Sequence, residues 1–285
     1  MKPDTQYDFL VRCADVPPEQ PGVLLSVTPE EAGWNTLGFT VRRLAPDEVY
    51  SSETAECEVA LVVLGGRMSI DWGEGSRSIG ERENVFSGYP HAVYLPPGMR
   101  YEIRAETLVE FAESRVASHT HLRPRVMTPD DVGDETRGSG DVTRQIIRII
   151  RPEHEADKLM MNEVFTPDGN WSSYPPHKHD TRNLPAENDL DEMYYFRVDP
   201  PDGFAFLRVY DSAGKRDSTA VVRNGDLALL REGYHLVAAA PGYRCYYLAI
   251  LAGETRSLAA STDPRFKSMR KNGSAPDPRA PVVRR

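Results

Sequence analysis

The ten residues from Trp171 to Asp180, WSSYPPHKHD, place His177 and His179 two positions apart in a stretch that resists the helix. Pro175 and Pro176 each fix φ and lack an N–H to donate, and each biases the residue before it toward extended backbone. Side chains at i and i+2 of an extended chain share a face, with Cα atoms roughly 6.7 Å apart, so both imidazoles can converge on one ion. A carboxylate and a third imidazole follow downstream, Glu192 in LDEMYYFR and His235 in REGYHLVAAA. Three imidazoles and one carboxylate suit zinc, iron, manganese, nickel or copper better than calcium or magnesium. One divalent transition metal is therefore expected on His177, His179, Glu192 and His235, with zinc as first choice and manganese, iron or nickel as the others.

The rest of the chain is built like this segment, from short β-rich runs broken by Gly and Pro, with little helical periodicity. Candidate strands include Leu37–Leu44, Glu58–Leu64, Ala92–Leu95, Leu159–Phe165, Glu192–Val198, Phe204–Tyr210 and Leu227–Leu230. Their order repeats: EVALVVLGGRMSID is followed by a strand ending near Pro-Gly at LPPG, and EMYYFRVDPPDGFAFLRVYD by one ending near Pro-Gly at AAPG. A loose internal duplication of this kind predicts an all-β chain of two tandem β-barrels. The polar, Gly-rich stretch TPDDVGDETRGSGDV predicts a linker over 128–142, between a first barrel over 1–127 and a metal-binding barrel over 143–270. KNGSAPDPRAPVVRR predicts a frayed or partner-dependent tail over 271–285.

Composition narrows the function classes. A net charge of −9 and a pI of about 5.4 argue against nucleic acid or an anionic membrane as partner. No apolar run approaches the ~18–20 residues of a membrane helix, and no apolar leader opens the chain, so the expected location is the cytoplasm. Cys13, Cys57 and Cys245 are odd in number and far apart, which is no disulfide framework. Edge strands need covering, so a homo-oligomer is expected.

Parity along the strands nominates further site residues. Glu163 alternates with Leu159, Met161 and Phe165, so an inward reading puts a carboxylate inside an apolar barrel, where it qualifies as a general base. An edge-strand Glu in water is the alternative. Arg208 shares a face with Phe204, Phe206 and Tyr210, and is either a snorkelling surface side chain or a clamp for a substrate carboxylate. Arg197, Arg148 and Arg182 are the fallback clamps. If Glu192 faces inward, Tyr194 and Phe196 do too, while Met193 and Tyr195 face away. Lys178 points opposite the histidines and is expected to be structural or solvated. His91 stands where the second half has His235, but the first half lacks an HxH pair, so it is read as a non-ligand. His119 and His121 repeat the HxH spacing without a following Glu and His in register.

HxH, then Glu, then a Gly-bounded strand pair, then His resembles the cupin pattern. The thirteen-residue step from His179 to Glu192 is longer than usual there, so DTRNLPAENDLD is expected to form a lid or wall beside the metal. More specifically, WSSYPPHKHD, NLPAENDLDEMYYFRVDPPDGFAFLRVY, NGDLALLREGYHLVAAAPGYRCYYLAILAG, LGFTVRRLAP and EVALVVLGGRMSI together resemble the 5-deoxy-glucuronate isomerase family of myo-inositol catabolism. That family is similar in turn to the uronate isomerases of pectin breakdown. The resemblance, from about Gly38 to Asp263, implies a bicupin whose second barrel holds the metal on His177, His179, Glu192 and His235. It implies an aldose–ketose isomerisation of a small sugar acid, 5-deoxy-D-glucuronate to 5-dehydro-2-deoxy-D-gluconate; for that chemistry strand parity makes Glu163 the first candidate base, with a metal-bound hydroxide the second, and Arg208 the candidate carboxylate clamp. The rival readings are another cupin enzyme, either a uronate isomerase of pectin breakdown or an iron-dependent dioxygenase, and a non-catalytic sugar-binding cupin.

Overall fold

Strand Cys57–Gly65 shows how the chain is put together, because it has no wet face: Val59, Leu61 and Val63 enter one apolar core, while Ala60, Val62 and Leu64 enter another. Strand Arg244–Ala252 does the same, with Tyr246, Leu248 and Ile250 on one side and Tyr247, Ala249 and Leu251 on the other. β-branched and aromatic residues on both faces fit strands buried between layers.

The computed structural model describes residues 7–13, 17, 19–271 and 275–285. Four sheets are stacked. A 4-stranded sheet (Val49–Glu53, Arg100–Ala105, Met68–Asp71, Ser76–Ile79) covers one face of a 6-stranded sheet that contains Cys57–Gly65, Val109–Ala117 and Leu37–Leu44, and together they make the first barrel. A 7-stranded sheet ordered Leu10–Val11, Leu227–Leu230, Asp191–Asp199, Arg244–Ala252, Leu159–Thr166, Arg144–Ile150 and Gly133–Arg137 packs against a 5-stranded sheet to make the second. The 5-stranded sheet runs Asp217–Arg223, Phe204–Tyr210, Tyr234–Ala239, Trp171–Lys178 and Ser261–Thr262. Between the barrels the two large sheets meet across a third core, with Phe39, Tyr195, Phe165 and Tyr246 in it. Each fully buried Val, Leu or Phe contributes ~1.5–3 kcal/mol, so this middle layer is the stable heart of the molecule.

The expected domain bounds need three corrections. Leu10 and Val11 pair with Ala228 and Leu227, so the N-terminus completes the second barrel and not the first. Residues Gly133–Arg137, expected in a linker, form a strand antiparallel to Arg144–Ile150. Alternation is invisible there because Asp134, Glu135 and Arg137 are polar, as an edge strand allows. The tail is tied down: Val283 is 2% exposed and exchanges two hydrogen bonds with the Gln145 side chain, of 2.9 and 3.0 Å. Positions 272–274 of that tail lie outside the described residues.

Candidate metal centre

Three of the expected ligands come from three different strands or their ends. His235 lies on Tyr234–Ala239, Glu192 on Asp191–Asp199, and His179 follows Trp171–Lys178. The last strand does not run straight. Its register against Tyr234–Ala239 jumps between Ser172 and His177, so residues 173–176 bulge out and His177 comes to lie opposite His235. The Tyr174–Pro175 peptide bond in the bulge is cis. Ser173 takes φ +50°, a conformation that costs a non-glycine residue on the order of 1 kcal/mol. Its hydroxyl is hydrogen-bonded to Tyr194 Oη (3.0 Å) and Tyr247 Oη (3.1 Å), which offsets that cost.

Ligand atoms of His179, Glu192 and His235 lie within 4.8 Å of one another, and all three residues are buried. His177 stands beside them, its ring 4.7 Å from that of His235 and 6.3 Å from that of His179. His179 Nδ1 is 3.1 Å from the Leu190 carbonyl oxygen, so that nitrogen carries the proton of the neutral ring. Nε2 faces Glu192 Oε2 at 2.9 Å, and although burial opposes the charged ring, that carboxylate outweighs it and holds His179 above the ordinary histidine range. His235 Nε2 is buried without a hydrogen-bond partner, 3.4 Å from the same carboxylate oxygen. Burial, and next the neighbouring imidazoles, push His235 well below the ordinary histidine range and His177 down to about 4. Neutral imidazoles, a carboxylate and an orphaned ring nitrogen form a donor set that suits a transition metal.

His177, His179 and Glu192 line a cavity of about 560 Å³. Its walls follow strand parity: Arg144, Ile146 and Arg148 from one strand, Asn162 and Val164 from the next, Tyr247, Ala249 and Leu251 from the third, and Glu192 with Tyr194 from the fourth. The insertion after His179 forms a two-stranded hairpin, Asp180–Asn183 with Glu187–Asp189, followed by Leu190 in the cavity wall. Lys178 fastens it as expected of a structural residue, donating to Glu187 Oε1 at 2.7 Å and pairing with Asp180.

The KduI/IolB family model matches residues 9–269. This chain belongs to the KduI/IolB family. Its relatives include 5-deoxy-glucuronate isomerase of Geobacillus thermodenitrificans (strain NG80-2), 43% identical over 87% of this chain and 91% of that protein. Another is the 5-deoxy-glucuronate isomerase of Bacillus subtilis (strain 168), 36% identical over 84% of this chain and 89% of that one. Among solved structures, an IolB-like protein from Salmonella typhimurium LT2 aligns with a TM-score of 0.88 at 33% identity, covering 92% of this chain and 98% of its own. An oxalate decarboxylase from Lactobacillus farciminis aligns with a TM-score of 0.67 at 12% identity, covering 94% and 92%, a likeness of fold. The expected bicupin is thus the fold of the chain.

Two nominated residues of this KduI/IolB family member lie elsewhere. Glu163 shares a face with Leu159, Met161 and Phe165 as parity required, but that face looks into the core between the barrels. There it pairs with Arg82 from the first barrel through bonds of 2.6 and 3.0 Å and accepts a third, of 2.9 Å, from Tyr246. The strand is apolar on both faces, so alternation could not say which face meets the cavity. Its neighbour Asn162 lines the wall instead.

Arg208 fails for the mirror-image reason. Ala205, Leu207 and Val209 point into the barrel, leaving Phe206 42% exposed and Arg208 on the outer surface, paired with Asp217 at 2.6 Å and stacked over Tyr210. Exposed pairs of this kind contribute ~0–1 kcal/mol. Arg208→Ala is accordingly expected to change kcat/KM less than about twofold and stability by under ~1 kcal/mol, as steady-state kinetics and urea unfolding will read. Among the fallbacks, Arg197 is held between Glu110 and the Tyr195 ring, and Arg182 is exposed on the hairpin. Arg148 does line the cavity. Sequence reasoning missed Arg144, whose signal was its place four residues before Arg148 on one strand face.

Proposed function

We propose that this chain is a metal-dependent 5-deoxy-glucuronate isomerase that converts 5-deoxy-D-glucuronate to 5-dehydro-2-deoxy-D-gluconate, as in myo-inositol catabolism. The observation that carries the reading is 43% identity over 87% of the chain to an isomerase of that name, joined to a buried His/Glu donor set of which His179 and Glu192 line a cavity of about 560 Å³. In the reaction a proton leaves C2, the C2 hydroxyl becomes the carbonyl, and C1 receives a proton as its aldehyde becomes an alcohol.

His177, His179, Glu192 and His235 would hold the ion, with zinc as first choice. When bound, a divalent metal supplies Lewis-acid stabilisation of negative charge developing on the sugar oxygens, worth several kcal/mol. The residues around it do the rest. Tyr194 is held well above the ordinary tyrosine range by burial and then by Glu192, and Tyr247 is pushed up to about 12 by burial. Both therefore keep their protons at neutral pH and act as hydrogen-bond donors to substrate oxygens rather than as bases. Ser173 links the two hydroxyls and orients them. Ala249, Leu251, Leu190 and Leu258 close the walls with apolar surface and limit water at the reacting carbons.

The test is turnover of the deoxyuronate by metal-loaded protein under anaerobic conditions. The ketose is expected without oxygen, with solvent deuterium incorporated at carbon as the proton moves. Absence of ketose, or product formed only with oxygen present, would refute the isomerase and favour the dioxygenase reading. Faster conversion of the uronate of pectin breakdown would move the substrate assignment to that branch.

A further inference from the structure

The cavity is lined by three guanidinium groups, and two of them are already committed. Arg148 donates to Glu135 Oε2 at 2.6 Å, and Arg137 donates to Glu135 Oε1 at 2.8 Å. Arg144 differs: its side chain donates to the Val142 carbonyl at 3.1 Å, and among the described residues no carboxylate pairs with it. A half-buried cation without a paired counter-charge is costly, so its retention in a ligand cavity calls for a ligand that supplies the charge.

The groups around it strengthen the case. The lining holds Arg137, Arg144 and Arg148 against one carboxylate, Glu192, whose charge a bound metal would offset, so the cavity favours an anion. Burial first, and then Tyr247, Arg137 and Glu135, act on the guanidinium itself, and the net effect holds it below the usual arginine range. That is what a partner anion would relieve.

The backbone of Arg144 is anchored on both sides. Thr143 Oγ1 accepts from the Asp277 N–H at 2.9 Å, and the Gln145 side chain exchanges bonds with Val283. Gly138, at φ +89°, leaves the guanidinium room: a Cβ there would stand 2.1 Å from the Val142 oxygen and 3.0 Å from Arg144 Nη1.

The geometry points to Arg144 as the residue that binds the carboxylate of the sugar acid, at the end of the substrate remote from the reacting C1 and C2. This deepens the isomerase reading and rests on it for the identity of the acid. A planar fork on a fixed strand can take a carboxylate by two parallel hydrogen bonds, which Lys cannot reproduce.

The experiment compares wild type with Arg144→Lys and Arg144→Ala, using the deoxyuronate and its analogue with a hydroxymethyl group in place of the carboxylate. Both compounds are titrated calorimetrically into metal-loaded protein and also assayed for turnover. Arg144→Ala is expected to weaken binding of the acid and lower kcat/KM by roughly 10- to 100-fold, Arg144→Lys by less, with little change for the analogue. Added guanidinium at millimolar concentration should partly rescue Arg144→Ala, which loss of a structural support would not show. Equal losses for both compounds, or no loss for the acid, would overturn the assignment. Wild-type protein that binds the acid but does not convert it would refute the isomerase reading while the binding arm still decides Arg144. Wild-type protein that neither binds nor converts it would overturn both.

Discussion

Removing the metal is expected to lower turnover by on the order of 10³-fold or more while leaving the protein folded, because several kcal/mol of charge stabilisation vanish with the ion. Chelator treatment should give this loss, and adding back zinc or manganese should reverse it. Metal analysis should find one ion per chain. His235→Ala is the sharper version. It removes an imidazole whose Nε2 is buried with no hydrogen-bond partner among the described residues, so the ligand set is broken at a nitrogen that the fold does not otherwise use. His179→Ala should behave alike for turnover, with an additional stability cost because its Nδ1 bond to Leu190 is lost. Circular dichroism and thermal unfolding should remain cooperative in both variants, since the barrel core of Phe196, Leu207, Val237 and Leu251 does not depend on the ion. Loss of soluble protein in both variants would make the ion structural. Two ions per chain would reopen the first barrel as a second site.

The second large effect is expected at the join between the barrels. Arg82 reaches across it, donating to the Val63 carbonyl at 2.8 Å on its own side and to both Glu163 oxygens on the other. Both side chains are at most 2% exposed. Burial opposes the Arg82 charge, but Glu163 outweighs it and holds the guanidinium above its usual range. Removing one partner strands the other in a low-dielectric core, which costs ~3–5 kcal/mol. Glu163→Gln and Arg82→Ala should therefore each lower Tm by on the order of 10 °C. Replacing both together with Met should cost far less than the two single changes summed. Activity per folded molecule should stay within about twofold in Glu163→Gln. If that variant kept its Tm and lost turnover, Glu163 would be the base after all.

These outcomes separate what alternation along a strand can tell from what it cannot. Period-2 parity grouped the residues correctly: Glu192 with Tyr194 and Phe196, Glu163 with Met161 and Phe165, Arg208 with Phe204 and Phe206. It could not assign the sign. A sheet with water on one side labels its faces by polarity, but the 7-stranded sheet is buried on both, and both of its faces read as apolar. Glu163 and Asn162 are neighbours in sequence and face opposite cores, one an ion-paired joint and the other the cavity wall. The outer 5-stranded sheet erred differently, because its solvent face carries Phe204 and Phe206 and so looks like an inside.

From the chain alone came the all-β class, the tandem arrangement, the family resemblance, and the His and Glu residues of which the structure gathers His179, Glu192 and His235 into one buried cluster. The class, the arrangement and the candidate ligands rest on local rules: residue type, spacing in an extended chain, and turns marked by Gly and Pro; the family rests on the resemblance of whole segments such as WSSYPPHKHD. The tertiary structure decided the rest. Register against Tyr234–Ala239 turned the Pro-rich segment into a bulge that sets His177 opposite His235. Packing of two sheets face to face withdrew Glu163 from the chemistry. Pairing of Gly133–Arg137 with Arg144–Ile150, beside a C-terminal segment that looked loose, put the Arg144 guanidinium into the cavity wall. Each of these depends on which distant strand lies alongside, a long-range choice made by burial of the whole core and written in no single stretch of residues.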